Sequence, residues 1–364
     1  MADLIPGLPD EVARECLIRV PYDQFPSVRS VCRLWMQEVE SSSYHRLRKS
    51  SGLTRPVIAL AQAEPALAQA GPAKKYSSST TSYRLTLFDP ATGTWDVLPA
   101  IPGLPHGLPL FCQLAAVGRE LVVVGGWDPE TWTASDRVYV YDFVSGAWRR
   151  GSPMPGPRRS FFACAASDAD RAVYVAGGHD EDKNALRSAL AYNVVVDRWF
   201  PLPDMAMERD EPRGAFLGGR FHVIGGYATD AQGQFGRSAE VFDASAWRWG
   251  PVEEGRLEEA TCPRTCVVAG DGRMYVCRAG HVTVSEGAAW RVVAEMPEEA
   301  RVASAVAAVG EGKVVVMGSG CDGGTHVVCV LEENKMNKEV TWTKKGAMPE
   351  EFSGHIQAAC CVEI

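Results

Sequence analysis

Apolar residues recur along this chain at two different spacings, and the change comes near residue 50. In residues 4–48 the spacing is helical: Leu8, Val12, Cys16, Leu17 and Val20 fall on one face of a helix. Pro9 sits near the first turn, where a missing N–H costs nothing. Asp10 and Glu11 follow at the positive end of the helix dipole. Pro21 ends the pattern. Val28, Val31, Trp35 and Val39 then predict a second helix, with Arg29 and Arg33 on another face. The run Ser41-Ser42-Ser43 is expected to end it.

From Pro56 onward the apolar runs are short, strand-like and repeated. Leu121–Gly126, Ala172–Gly178 and Phe221–Gly226 each end in Gly-Gly. Each is followed by a loop and a second strand ending in Asp or Asn: Arg137–Asp142, Ser188–Asn193 and Ser238–Asp243. A Trp follows each time, at Trp148, Trp199 and Trp247. Extending the register adds Trp95, Trp290 and Trp342, with successive spacings of 53, 51, 48, 43 and 52 residues. A period near 50 with four strands per unit is the pattern of a kelch-type β-propeller.

The ends set the blade count. Pro56–Ala63 opens the first unit with no strand before it, and His355–Glu363 is an apolar strand left over. Placing that last strand in the first blade closes a ring of six. The fifth unit, with MYVCRAG at 274–280, has no Gly-Gly. Residues 62–82, rich in Ala, Ser, Gln and Pro, are expected to be a mobile loop.

Composition narrows the function. The chain has 364 residues, 46% hydrophobic and 23% charged, as in an ordinary globular protein. A formal net charge of −8 argues against general nucleic-acid binding, which needs a basic face. No apolar run is long enough to span a bilayer, and the N-terminus lacks the pattern of a signal peptide, so no membrane partner and a cytoplasmic or nuclear location are expected. Many of the eleven Cys sit in apolar stretches, among them Cys112, Cys164, Cys329, Cys360 and Cys361, which predicts reduced, buried thiols.

The N-terminal landmarks carry a resemblance. Leu8-Pro9-Asp10-Glu11-Val12, Cys16-Leu17, Val20-Pro21 and Val31-Cys32-Arg33-Leu34-Trp35 resemble an F-box. Together with the repeats, the chain is similar to plant F-box/kelch-repeat proteins. The architecture implied is a small all-α F-box domain over residues 1–50, then an all-β kelch propeller over 56–364. The resemblance implies docking of a Skp1-like adaptor, and through it a cullin, on Leu8, Pro9, Val12, Leu17, Val20, Pro21, Val31, Cys32 and Trp35. It implies a substrate receptor of an SCF (Skp1–cullin–F-box) ubiquitin ligase, with no bond chemistry and no cofactor of its own. The stretches LPDEVARECLIRVPYDQFPSVRSVCRLW and GGHDEDKNALRSALAYNVVVDRW resemble the subfamily that directs phenylalanine ammonia-lyase or cytokinin response regulators to degradation; of the two, the lyase is the expected target.

Catalytic and metal-binding patterns are weak. Cys262 and Cys266 have no second Cys/His pair at zinc spacing. The acidic run 178–182 lacks the ligand pattern of a calcium loop and reads as an exposed turn. No G-x-S-x-G turn or phosphate-binding P-loop is present, and nothing identifies the Tyr/His copper site of kelch oxidases. Carboxylate pairs brought together by the fold stay open. The loops after each Gly-Gly are richer in residues typical of protein interfaces: Trp127, Trp132, Asp180, Asp182, Arg187, Tyr227 and Arg237 are the candidate target contacts. Trp127 and Trp132 are equally compatible with folding back onto a blade, and Arg158 and Arg159 with packing or pairing. A kelch enzyme with a helical cap and a non-degradative scaffold are the rival classes.

Overall fold

The computed structural model describes residues 3–65, 82–286, 289–334 and 338–364. Four short helices come first. Helix α1, Asp10–Leu17, starts at Pro9, whose extended backbone (ψ 144°) presents the chain to the first turn. A 3-10 turn, Tyr22–Gln24, leads into α2, Phe25–Val31. The single helix predicted across Val28 and Val39 is in fact two. Cys32 is fully extended (φ −160°, ψ 169°), and α3 runs from Arg33 to Glu40. Ser41 ends α3 as expected but also begins α4, Ser42–Ser50: its Oγ accepts a hydrogen bond from the Tyr44 N–H at 3.1 Å.

The rest is a six-bladed all-β propeller, with six four-stranded sheets among the described residues. The C-terminal strand Ile356–Glu363 closes the ring as predicted. It is the innermost strand of blade 1, antiparallel to Pro56–Ala63, with Pro56 opposite Glu363 and Leu60 opposite Ala359. Gln62 belongs to that strand, not to a loop. It is fully buried, donating to Gly354 O at 3.1 Å and accepting from Thr86 Oγ1 at 2.9 Å. Residues 66–81, most of the segment expected to be mobile, lie outside the described residues.

The Gly-Gly pairs all have positive φ, from 64° at Gly125 to 90° at Gly126. They also allow close contact between blades. A Cβ on Gly125 would lie 3.0 Å from the Phe162 ring of the next blade, and one on Gly177 3.3 Å from Pro212.

One Trp of the predicted register, Trp247, does not hold the position of the others. Trp148 and Trp199 sit opposite Tyr141 and Tyr192 on their outer strands. Their Nε1 atoms donate to Pro99 O and Ser152 O of the preceding connection, both at 2.8 Å. In blade 4 this role falls to Trp249, opposite Phe242 and bonded to Pro203 O at 2.7 Å. Trp247 is a turn residue, 45% exposed, with φ 52°. The spacings then become 51 and 50 residues.

The helices pack on the end of blades 1 and 2 that carries the Gly118–Arg119 turn. Their buried residues Ala13, Leu17, Ile18, Phe25, Val39 and Tyr44 share one apolar core with Val57, Leu87, Tyr141 and Phe143. Tyr22 meets Phe143 edge-on at 6.3 Å. Arg119 donates to Glu40 O at 2.8 Å and pairs with Asp142 at 3.1 Å. Arg48, 3% exposed, donates to Val20 O (2.7 Å) and Leu53 O (3.0 Å), tying α4 to the chain on both sides of it. No helix among the described residues is long and apolar enough to cross a membrane.

Candidate interaction surfaces

An antiparallel pair has two ends, and here they face opposite ways. In blade 2 the Gly118–Arg119 turn joins the inner strand Gln113–Val117 to Glu120–Val124 on the helical side. The Gly-Gly loop leaves Val124 on the far side, beside the start of the inner strand. The two candidate surfaces therefore lie at opposite ends of the propeller.

On the helices, burial divides the predicted positions. Leu8 (37% exposed), Val12 (46%) and Val31 (59%) point to solvent, and so does Leu34 (37%), which the predicted set omits. Pro9, Pro21 and Cys32 are exposed and Val20 is half-buried. Leu17 faces the other way, into the core, at 2%, so its role is to hold α1 in place. Trp35 is half-buried, its Nε1 donating to Leu4 O at 2.7 Å. The extended Cys32 lets α2 and α3 change direction while keeping Val31 and Leu34 outward. Arg14 pairs with Glu38 at 2.9 Å and links α1 to α3. The result is an apolar surface on a braced helical support, the kind of patch that marks a protein contact.

On the far face, the predicted residues separate further. Trp132 is 56% exposed at a positive φ (54°), and Asp182 is exposed. Trp127 is half-buried, with the Lys183 ammonium 4.5 Å from its ring centre. Asp180 is turned into its own loop: burial alone would raise its pKa, but its carboxylate accepts from Asn184 Nδ2 at 3.1 Å, Asn184 N at 2.9 Å and Asp182 N at 3.0 Å, and these bonds hold the pKa below the ordinary value. Exposed Arg187 pairs with Asp204 at 3.2 Å. Tyr227 is buried (8%) and its hydroxyl donates to Glu211 at 3.0 Å. Arg237 is exposed but its Nε donates to Leu257 O at 2.9 Å. Blades 5 and 6 turn tightly at this end, at Ala279–Gly280 and Cys321–Asp322, so the longer loops of blades 2 to 4 form a raised rim on one side.

The sequence left Arg159 open to packing or pairing and did not single out Arg209; the structure buries both. Arg159 (1% exposed) donates to Ser188 O at 2.9 Å and to Ser188 Oγ at 2.7 Å. Arg209 (2%) does the same in blade 4, to Gly225 O at 2.7 Å and Ser238 Oγ at 3.0 Å, and pairs with fully buried Glu240. These arginines staple the Gly-Gly turns from inside. Aligning PRRSF with MERDE at the repeat period places them at one position and would have found them.

A set of strained residues marks where the inner strands begin. Phe111, Phe161 and Glu211 occupy the same position in three successive blades, with φ of 58°, 55° and 51°. A non-glycine residue held there costs on the order of 1–3 kcal/mol, and such strain collects at functional sites. Packing explains it locally. The next residue turns inward, as Phe162 does under Gly125 and Pro212 under Gly177, and the strained residue is left facing the mouth of the central channel.

A Ser–His–Asp relay crosses the same region. His179 Nε2 lies 2.8 Å from Ser160 Oγ, and His179 Nδ1 lies 2.8 Å from Asp210 Oδ2. The spacing resembles a nucleophilic triad. Ser160, however, is 1% exposed, and Lys183 Nζ also reaches Nε2 at 3.1 Å. The relay joins the loop of blade 3 to the entry of blade 4. The thiols are similarly passive: burial pushes those of Cys112, Cys164, Cys266, Cys277 and Cys361 up to about 12.

Residues 5–47 match the F-box domain, and residues 110–155 and 158–206 match the Kelch motif. Two Arabidopsis thaliana proteins are similar over their whole length. F-box/kelch-repeat protein At1g80440 is 45% identical over 371 residues, and F-box/kelch-repeat protein At1g15670 is 44% identical over 369, each match covering 100% of both chains. The chain belongs to the F-box/kelch-repeat family. F-box/kelch-repeat protein SKIP20 of the same plant is 37% identical over 284 residues, 69% of this chain and 66% of that protein. In this family member the F-box match spans α1 to α3, the exposed stripe on them and the first part of α4. The kelch matches cover blades 2 and 3, where Gly-Gly and Trp fall in register. Blade 4 keeps the same Trp position at Trp249, and blade 5 lacks the Gly pair.

Proposed function

We propose that this F-box/kelch-repeat protein is the substrate receptor of an SCF ubiquitin ligase. The supporting observation is the opposed placement of its two surfaces. The apolar stripe of Leu8, Val12, Val31 and Leu34 is at one end, braced on blades 1 and 2. The loop rim and channel mouth are at the other. The stripe would hold a Skp1-like adaptor and through it a cullin. The far face would hold a protein target. The receptor contributes proximity and no bond chemistry: fixing the target raises the effective concentration of its lysines at the ligase's ubiquitin-conjugating enzyme. A cytoplasmic or nuclear location, where that machinery and the proteasome operate, belongs to the same proposal.

For the target we propose phenylalanine ammonia-lyase, and so control of entry into phenylpropanoid metabolism. This rests on the subfamily resemblance of residues 8–35 and 177–199. Pull-down from plant extract under proteasome inhibition tests it, with lyase abundance followed after the inhibitor is removed. Capture and receptor-dependent loss of the lyase support the identity. Recovery of a type-B cytokinin response regulator instead overturns the target and keeps the receptor. Captured proteins whose levels ignore proteasome inhibition would support a scaffold instead.

A further inference from the structure

The channel mouth on the far face combines an aromatic wall with a cationic one. Phe111 is 40% exposed, and its ring centre lies 4.9 Å from that of Phe161, which stacks on His179 at 5.5 Å. Across the opening, Arg213 is held by an Nε bond to Cys266 O at 3.1 Å, and exposed Arg264 stands beside it. Among the described residues that line the opening, the acid is Glu211, which accepts from Tyr227. Two guanidiniums against one carboxylate leave the opening positive in a chain whose net charge is −8.

The cavity volume limits what can enter. The mouth itself holds about 140 Å³, enough for one side chain and below the roughly 300 Å³ at which drug-sized ligand sites begin; a second space of about 250 Å³, sharing Cys164, Arg213 and Gly214, continues from it along the inner strands. Strained residues from three blades form part of the mouth.

We infer that the channel mouth docks a polypeptide segment that inserts one aromatic or long aliphatic side chain against Phe111 and Phe161 and places an adjacent Asp or Glu on Arg264 and Arg213. A Lys or Arg beside the anchor would meet like charge and be rejected. This rests on the receptor reading and specifies what its far face recognises. The contact residues differ from those the sequence suggested: the acidic loop around Asp180 is folded on itself, whereas among the described residues the mouth is open.

The test is selection from a random displayed peptide library on the purified full-length protein, followed by affinity measurement on the enriched peptides. The wild type should enrich an apolar residue next to Asp or Glu. Arg264→Glu should weaken the best such peptide by roughly tenfold or more, and a repeated selection should move toward Lys or Arg beside the same anchor. Phe111→Ala should remove the apolar preference. Both positions are exposed, so unchanged melting should show that the fold is intact. Enrichment without the apolar–acidic pair, or affinities indifferent to both variants, overturns the inference. That failure with target turnover intact leaves the receptor standing; enrichment without any turnover leaves the mouth site standing and removes the receptor.

Discussion

Lys49, at the end of the last helix, lies with its Nζ 2.6 Å from Oε2 of Glu363, on the last strand of the propeller. Thr54 Oγ1 donates to the other oxygen of the same carboxylate at 2.8 Å. The strand that closes the ring therefore also anchors the helices. Removing residues 355–364 strips blade 1 of its inner strand and leaves both ring edges unpaired. The shortened protein should be insoluble or should melt without a cooperative transition, and calorimetry and limited proteolysis would show it. Glu363→Ala alone is a different matter. The pair is 53% and 39% exposed, so screening limits the loss to about 1 kcal/mol or less.

Trp247 and Trp249 should separate cleanly. Trp249 packs on Phe242 with ring centres 5.3 Å apart and bonds the preceding blade. Trp249→Ala should cost about 3 kcal/mol, toward the lower end for a truncated Trp because the ring is half-buried. Trp247→Ala, at an exposed turn, should cost about 1 kcal/mol or less. Urea denaturation of the two variants measures the contrast.

Arg209→Met should be among the most destabilising single changes. It leaves Gly225 O and Ser238 Oγ without this donor and isolates Glu240, which is 0% exposed. Breaking one side of a buried pair costs on the order of 3–5 kcal/mol. Glu240 keeps its bonds from Ala206 N (2.7 Å) and Met207 N (3.1 Å), so folding should weaken without vanishing. Denaturant titration with Arg209→Lys as the milder companion checks this.

Acid should destabilise the protein through His45 and His222. Burial lowers the pKa of both below the ordinary value of 6.5, and Arg119 near His45 and Arg256 near His222 act the same way. The unfolded chain takes up these protons first, so stability is full above about pH 6.5 and falls as pH drops from there toward the folded-state values. His45→Gln should flatten part of that fall. Unfolding free energies at neutral and mildly acidic pH, compared between the two proteins, decide it.

Much of this architecture was legible because repeats announce themselves. Six Trp at repeat spacing, three of them following Gly-Gly pairs, and the orphan strand at 355–363 were enough to predict six blades and their closure. The helix break at Cys32 was hidden, because the apolar spacing from Val28 to Val39 runs through it unchanged. Trp247 and Trp249 are two residues apart, and only the partner strand decides which one faces the blade. The channel mouth was harder still. Phe111, Phe161 and Glu211 share a backbone conformation and not a residue type, and nothing in a Phe or Glu signals positive φ. The inward-packing neighbours Phe162 and Pro212, read at the repeat period, were the available clue.

Titration of the purified full-length protein with a plant Skp1 adaptor tests the helical surface most directly. One-to-one binding is expected, abolished by Leu8→Ala with Pro9→Ala and weakened by about a hundredfold or more by Val12→Glu with Val31→Glu, which place charge in the apolar stripe. Propeller melting should stay as in the wild type for both. Undiminished binding by these variants would contradict the assignment of the helical surface, and with it the receptor.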